Sequence, residues 1–129
     1  MREFTAAEAN ALVPRVRPLL ASLREAFHAF TFAREQWQEL ASFGQAEGDE
    51  GRRYEHEAEA GGAQVQRLID ELHALGCEVK DPTMGLVDFY GRRSNGELVL
   101  LCYRDDEDAI RFWHPLVGGF AGRRPLAEL

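Results

Sequence analysis

Three short apolar stretches in the last third of the chain decide the fold. They read Gly85-Leu86-Val87-Asp88-Phe89, Glu97-Leu98-Val99-Leu100-Leu101-Cys102-Tyr103 and Ile110-Arg111-Phe112-Trp113-His114. Each has the length and the apolar content of a β-strand, and turn residues separate them. The middle stretch is apolar on both faces, which places it at the centre of a sheet. The pair Asn95-Gly96 favours a hairpin turn because both residues readily adopt positive φ. Together these features predict an antiparallel meander.

The predicted meander has three to four strands. A short strand spans residues 77–80, and the others span residues 86–90, 97–104 and 109–114. Asp81-Pro82-Thr83-Met84-Gly85 provides a turn, since proline and glycine occupy turn positions. Residues 118–125 contain three glycines and no hydrophobic period, so we predict a glycine-rich loop there.

The first 76 residues have a helical period instead. Thr5 and Glu8 form a capping-box pattern that begins a helix. Pro14 is expected to stop or kink this helix after about Leu12, because proline disfavours helical geometry in the residue before it. A long amphipathic helix then runs from Val16, with apolar residues spaced by three and four. Its apolar positions are Val16, Leu20, Leu23, Phe27, Phe30, Trp37 and Leu40.

A second amphipathic helix is predicted from about Arg52 to Leu75, with Gly76 as its C-cap. At Gly61-Gly62 either the helix breaks or the small residues let a partner helix come close. The two long helices should pair antiparallel as a hairpin. We therefore predict a single α+β domain over residues 1–129, with a helical hairpin at 1–76 and a β-meander with a glycine-rich C-terminal loop at 77–129.

Composition excludes several classes of function. A chain of 129 residues with a formal net charge of -7 has no broad basic face for nucleic acid or an anionic membrane. No apolar run approaches the length of a membrane span, and no signal peptide is visible. Two cysteines, Cys77 and Cys102, are too few for a disulfide framework. These features predict a cytoplasmic protein with free thiols and without a membrane partner, and they argue against a nucleic-acid partner.

Three residues of the meander have the chemistry of metal ligands. Strand alternation puts Asp88 on the face of its strand opposite to Val87 and Phe89, and it places Cys102 and His114 on defined faces of theirs. If they converge, these side chains could bind zinc or iron(II), since carboxylate, thiolate and imidazole all suit such ions. The register between strands cannot be read from sequence, and a slip of one residue changes which groups share a face. The alternative is that Cys102 is a buried apolar residue, Asp88 pairs locally and His114 binds a carbonyl.

The glycine-rich loop is a second candidate site. Backbone amides at Gly119 and Gly122, together with the Arg123 guanidinium, could hold a phosphate or carboxylate. The spacing matches neither the dinucleotide fingerprint nor the P-loop. The alternative is a tail that packs Phe120 onto the sheet and pairs Arg123 with an acid.

The chain resembles a bacterial family of uncharacterised proteins, DUF2203, because several sequence blocks follow one another in the same order. The matching blocks are Phe4-Thr5-x-x-Glu8-Ala9-Asn10-x-Leu12-x-Pro14, Gly76, Lys80-Asp81-Pro82, Gly85-Leu86-Val87-Asp88-Phe89, Leu101-Cys102-Tyr103-Arg104, Trp113-His114 and Gly119-Phe120-Ala121-Gly122-Arg123. The resemblance implies a bacterial, cytosolic domain and implies no activity. It marks as motif positions Glu8, Asn10, Asp88, Cys102, Trp113, His114 and Arg123.

Two functions remain open at this point. One is a non-catalytic interaction or regulatory domain that acts as a homo-oligomer, because the apolar stripes of both helices exceed what so small a sheet can cover. The other is a metal- or small-anion-binding protein, with hydrolysis as a possible activity. Its site would lie around Asp88, His114 and Arg123, with Cys102 as a further metal ligand. The predicted partner in the first case is a second copy of the chain, as a dimer.

Overall fold

Two long helices precede a five-stranded antiparallel sheet in the computed structural model, which describes all 129 residues. Helix α1 spans Ala6–Ser42 and helix α2 spans Asp49–Leu75. The strands are β1 (Glu78–Asp81), β2 (Leu86–Arg92), β3 (Leu98–Arg104), β4 (Phe112–Pro115) and β5 (Arg124–Pro125). They lie in the order of the sequence, so the sheet is a simple meander. The predicted α+β class with a helical hairpin is confirmed.

Helix α1 begins at the predicted capping box. The Thr5 side chain accepts from the Glu8 amide, and the Glu8 carboxylate accepts from the Thr5 amide. The expected stop near Leu12 was wrong, because α1 continues through both Pro14 and Pro18. Five buried residues on one stripe span this region and pack into the core, and their burial outweighs the cost of two prolines. These residues are Ala9, Val13, Val16, Leu20 and Leu23.

Helix α2 crosses the two central glycines without a break. A Cβ atom on Gly61 would lie 3.2 Å from Cβ of Phe30, and one on Gly62 would lie 3.2 Å from Cε1 of the same ring. The glycines therefore let α1 and α2 approach closely. Gly76 caps α2 in the left-handed conformation, with φ of 106°, as predicted.

The sheet has five strands, whereas three to four were predicted. Arg124 and Pro125 pair with Trp113 and Phe112 as the edge strand β5, where a loop was expected. Proline is tolerated there because an edge strand does not need every backbone N–H. The rest of the predicted glycine-rich loop holds a short 3₁₀ helix at Gly119–Gly122, and a second one follows at Leu126–Glu128.

Strand β4 begins later than expected, at Phe112 rather than Ala109. The cause is Asn10 on α1, whose amide accepts from the Ile110 backbone N–H at 2.7 Å and donates to the Ile110 carbonyl at 3.2 Å. Both backbone groups of Ile110 are thereby satisfied by a side chain, so they do not join a strand. Asn10 thus ties the entrance of β4 to the first helix.

The hydrophobic core lies between the helices and one face of the sheet, here called the inner face. That face is fully buried against apolar side chains of α1 and α2. Its largest members are Val87, Phe89, Val99, Leu101, Tyr103 and Trp113. Neither helix is long and apolar enough to cross a membrane.

Candidate metal centre

The three predicted metal ligands meet on the other face of the sheet, here called the outer face. The register places Asp88 on β2 directly opposite Cys102 on β3, and it places His114 on β4 opposite Leu100. Since β2 and β4 flank β3, all three side chains converge above the central strand. One ligand atom from each lies within 4.8 Å of the others. The three residues are at most 3% exposed.

A backbone carbonyl orients the His114 ring. Nδ1 lies 2.7 Å from the carbonyl oxygen of Pro115. A carbonyl oxygen can only accept, so Nδ1 carries the proton and donates it. In the neutral imidazole the lone pair is therefore on Nε2, the atom that faces Asp88.

The Nε2 lone pair faces the Asp88 carboxylate, which is also a hydrogen-bond acceptor. Nε2 lies 3.2 Å from Oδ1 and 3.1 Å from Oδ2 of Asp88. Neutral imidazole and an ionised carboxylate offer no proton at this contact, and the pair is only 3% exposed to water. A buried contact between two acceptors is unfavourable unless a cation lies between them. Only a proton, on His114 or on Asp88, or a metal ion can fill that role.

Burial also changes the proton affinity of Asp88 and of Cys102. It raises the pKa of Asp88 above its usual value, and the nearby His114 opposes that rise. Burial also raises the pKa of the Cys102 thiol to about 12, with a further contribution from the Asp88 charge. A thiol with this pKa is a poor nucleophile at neutral pH, because the thiolate is the reactive form. The arrangement therefore does not support covalent catalysis by Cys102 and His114.

The donor set fits a transition metal. Bond lengths of about 2.0–2.3 Å to zinc put tetrahedral ligand atoms roughly 3.4–3.7 Å apart, so a shift of about 1 Å closes the site. The Nδ1–H donor to Pro115 is the usual outer contact of a ligating histidine, because it leaves Nε2 free for the metal. A divalent ion would also displace the thiol proton of Cys102. Asp88, Cys102 and His114 can thus provide three ligands and leave a fourth position open.

A small cavity lies beside the three ligands. Its volume is about 160 Å³. Besides the ligands it is lined by Lys80, Leu86, Leu100, Leu116, Gly119 and Phe120. The cavity would give a small molecule access to the fourth position of a metal ion bound by these ligands.

The segment that covers this cavity is fastened by Arg123. Its Nη2 atom donates to Glu107 Oε1 at 2.6 Å and lies 3.4 Å from the Cys102 carbonyl oxygen. The guanidinium also stacks against the rings of Phe112 and Phe120, at 4.2 and 4.7 Å from their centroids. Arg123, predicted as an anion clamp, is thus already paired with an acid and holds the glycine-rich segment over the outer face.

The remaining predicted positions are distributed over the fold. Glu8 completes the capping box, and Asn10 fixes the Ile110 backbone. Trp113 is buried on the inner face, where its Nε1–H donates to the Pro125 carbonyl at 3.1 Å. Gly119 lines the cavity, whereas Gly122 does not.

Sequence reasoning did not single out Lys80 as a site residue. It lies at the irregularity where the register of β1 shifts between Val79 and Asp81. Two features of the sequence pointed to it: Lys80 is the only lysine among 15 basic residues, and it begins the matching block Lys80-Asp81-Pro82.

Comparison with protein families identifies the chain. Residues 2–126 match the model of DUF2203, described as an uncharacterized conserved protein. The chain belongs to this family. Comparisons with curated proteins and with solved structures gave no match. The family description assigns no activity, so the geometry of the outer face is the basis for a functional proposal.

Proposed function

We propose that this DUF2203 protein binds one divalent transition metal ion, zinc or iron(II), through Asp88, Cys102 and His114. The observation that carries the proposal is the contact between Nε2 of His114 and both carboxylate oxygens of Asp88 at 3.1–3.2 Å, with the Nε2 lone pair turned toward Asp88 by Pro115. A metal ion would take the place of the proton that this contact otherwise needs, and it would form two coordinate bonds. The Cys102 thiol lies within 4.8 Å of both groups and supplies the third.

The type of site follows from the number of ligands. Structural zinc sites are closed by four protein ligands, whereas catalytic sites use three and keep one position for water or substrate. Asp88, Cys102 and His114 make three, and the cavity adjoins them. A metal held in this way lowers the pKa of bound water and so generates hydroxide near neutral pH. Hydrolysis is therefore the reaction class to assay once the metal is identified.

Native mass spectrometry of untagged protein, supported by elemental analysis, tests the proposal. We expect about one zinc or iron per chain, which Asp88→Ala and His114→Ala should each abolish. His73→Ala is the matched control, because His73 is exposed on α2 and should leave the metal content unchanged. A wild-type protein that retains no metal after incubation with zinc and with iron(II) would refute the proposal, as would full retention in both site variants.

The same spectrum addresses the predicted homo-oligomer. Beyond Leu23, α1 has only one buried residue, Ala33, although its apolar stripe continues to the end of the helix. Phe32 and Phe43 are 49% and 72% exposed on this distal part. We propose that the part of α1 beyond Leu23, together with the part of α2 that packs against it, pairs with a second copy of the chain. Such pairing is what an interaction domain would show. A monomer at every protein concentration would contradict this second proposal and leave the metal proposal unaffected.

A further inference from the structure

We infer that the cavity beside the metal ligands is a subsite for a small aliphatic carboxylate, with Lys80 as the residue that selects its negative charge. This inference rests on the proposed metal site and names the class of ligand that the open coordination position takes. The ligand would place one carboxylate oxygen on the metal and the other toward the Lys80 ammonium. Its short apolar body would lie against the leucine side chains of the cavity.

The position of Lys80 is the first argument. Glu78 lies opposite Asp88 in the β1–β2 pairing, and Lys80, at the irregularity that follows, lines the same cavity as Asp88. Nζ lies 3.0 Å from Oε2 of Glu78, and both side chains are more than a third exposed. An ion pair this exposed is weak, because water screens both charges. The ammonium has three donors and a flexible stem, so it can keep Glu78 and also donate into the cavity.

Charge balance is the second argument. A divalent ion bound to the Asp88 carboxylate, the Cys102 thiolate and neutral His114 forms a centre with no net charge. Lys80 is the only other charged residue that lines the cavity, whereas the Glu78 carboxylate that it pairs with lies outside that lining. The charge that a ligand meets inside the cavity is therefore the positive charge of the ammonium. In a partly buried site such a charge favours a monoanion over a neutral or cationic ligand.

The size and lining of the cavity are the third argument. At about 160 Å³ the cavity is well below the roughly 300–1,000 Å³ that is usual for drug-sized ligands, so it suits a ligand of few heavy atoms. The rest of the wall is formed by Leu86, Leu100, Leu116, Gly119 and Phe120. This wall offers no side-chain hydrogen-bond partner for a polar ligand body. A carboxylate with a chain of up to about four carbons would place its charged group at the metal and Lys80 and its apolar chain against the rest of the wall.

Cobalt(II) substitution provides the test, because its near-ultraviolet charge-transfer band reports thiolate ligation and its visible d–d bands report changes in the coordination sphere. The loaded wild-type protein is titrated with butyrate, and with butylamine and butanol as cationic and neutral controls. We expect butyrate alone to change the d–d bands in a saturable manner. Lys80→Met should weaken butyrate binding about tenfold while cobalt stoichiometry stays at one, and Lys80→Arg should restore most of the affinity. Arg52→Met, which removes the same charge from the exposed start of α2, should bind butyrate as the wild type does.

The outcomes separate the two proposals. A wild-type chain that takes up no cobalt overturns the proposed function and this inference with it. A chain that binds cobalt through a thiolate but does not respond to butyrate overturns the subsite alone. Equal butyrate affinity in wild type and Lys80→Met overturns the role of Lys80, and equal responses to butyrate and butanol overturn charge selection.

Discussion

The two faces of the sheet use the same three strands for different purposes. The inner face presents Phe89, Leu101 and Trp113 to two helices and is lined by apolar and aromatic side chains. The outer face presents Asp88, Cys102 and His114, all at most 3% exposed, beneath a short glycine-rich segment. Side chains alternate along a strand, so neighbouring residues such as Asp88 and Phe89 belong to opposite environments.

The inner face therefore stabilises the fold, whereas the outer face carries the groups with chemical function. Burial of apolar area on the inner face is the main favourable contribution to folding. On the outer face the buried groups are polar, and their desolvation is a cost that only hydrogen bonds or a bound cation can offset. A buried polar cluster on the side without helices is therefore better explained by ligand binding than by stability.

The largest expected effect is on the inner face. Phe89 is fully buried and makes an edge-to-face contact with Phe4, with ring centroids 5.0 Å apart. Phe89→Ala should lower the free energy of unfolding by about 3–5 kcal/mol, because it removes the ring and leaves a cavity. Denaturant unfolding followed by circular dichroism measures the loss.

The same substitution on the outer side provides the comparison. Phe120 is half-buried in the segment over the outer face and stacks against Arg123 at 4.7 Å. Phe120→Ala should cost only about 1 kcal/mol, in the range of an exposed cation–π contact. Equal losses for the two variants would show that the covering segment is as important to stability as the helices, contrary to the separation argued above.

The next effect in size concerns the two cysteines, one on each side of the sheet. Zinc at a hundredfold excess over its dissociation constant should stabilise the wild-type protein by about 2.7 kcal/mol. For a domain of this length that corresponds to a rise in Tm of roughly 8–10 °C. Cys102→Ala should lose most of this rise, because it removes a ligand. Thermal unfolding with zinc, and again after addition of EDTA, measures the effect.

Cys77 is the matched control. It is fully buried in the core cluster, where its thiol donates to the Leu72 carbonyl at 3.3 Å, and burial raises its pKa to about 12, as for Cys102. Cys77→Ala should keep the full zinc response despite a lower Tm. Loss of the response in Cys77→Ala and not in Cys102→Ala would place the metal elsewhere.

Much of the fold could be predicted from periodicity and turn chemistry. The capping box at Thr5, the C-cap at Gly76 and the central position of β3 are local features, and local rules predicted them. The predicted break at Pro14 was wrong because packing of a continuous apolar stripe outweighs a local preference. Strand β5 was missed because two residues have no period, and its pairing with β4 depends on how the intervening segment folds.

The candidate site could be predicted only in part. Alternation indicated the face of each ligand on its own strand, but the register decides whether those faces coincide. That register follows from a five-residue hairpin connection at residues 93–97 and from the Asn10 contact that delays β4, and neither is readable from strand patterns. The orientation of the His114 ring depends on a backbone carbonyl, which no residue type reveals.

The smallest expected effect tests the acceptor contact itself. In Asp88→Asn the amide can donate a hydrogen bond to Nε2 of neutral His114, so the contact no longer needs an added proton or a metal ion. The metal-free variant should therefore be more stable than the metal-free wild type by roughly 1 kcal/mol. It should also lose the zinc-dependent rise in Tm, because an amide is a much poorer zinc ligand than a carboxylate. Denaturant unfolding in EDTA measures the first effect, and thermal unfolding with zinc measures the second.

Asp106→Asn is the control for this substitution, since Asp106 is exposed and pairs with Arg104 at 2.6 Å. It should change stability by no more than about 0.5 kcal/mol and keep the zinc response. A strong destabilisation by Asp88→Asn in EDTA would show that His114 is protonated and ion-paired to Asp88 in the metal-free protein, because removal of one partner leaves a buried charge. The buried pair would then be a structural salt bridge. A preformed metal site predicts both results for Asp88→Asn: higher stability in the absence of metal, and loss of zinc binding.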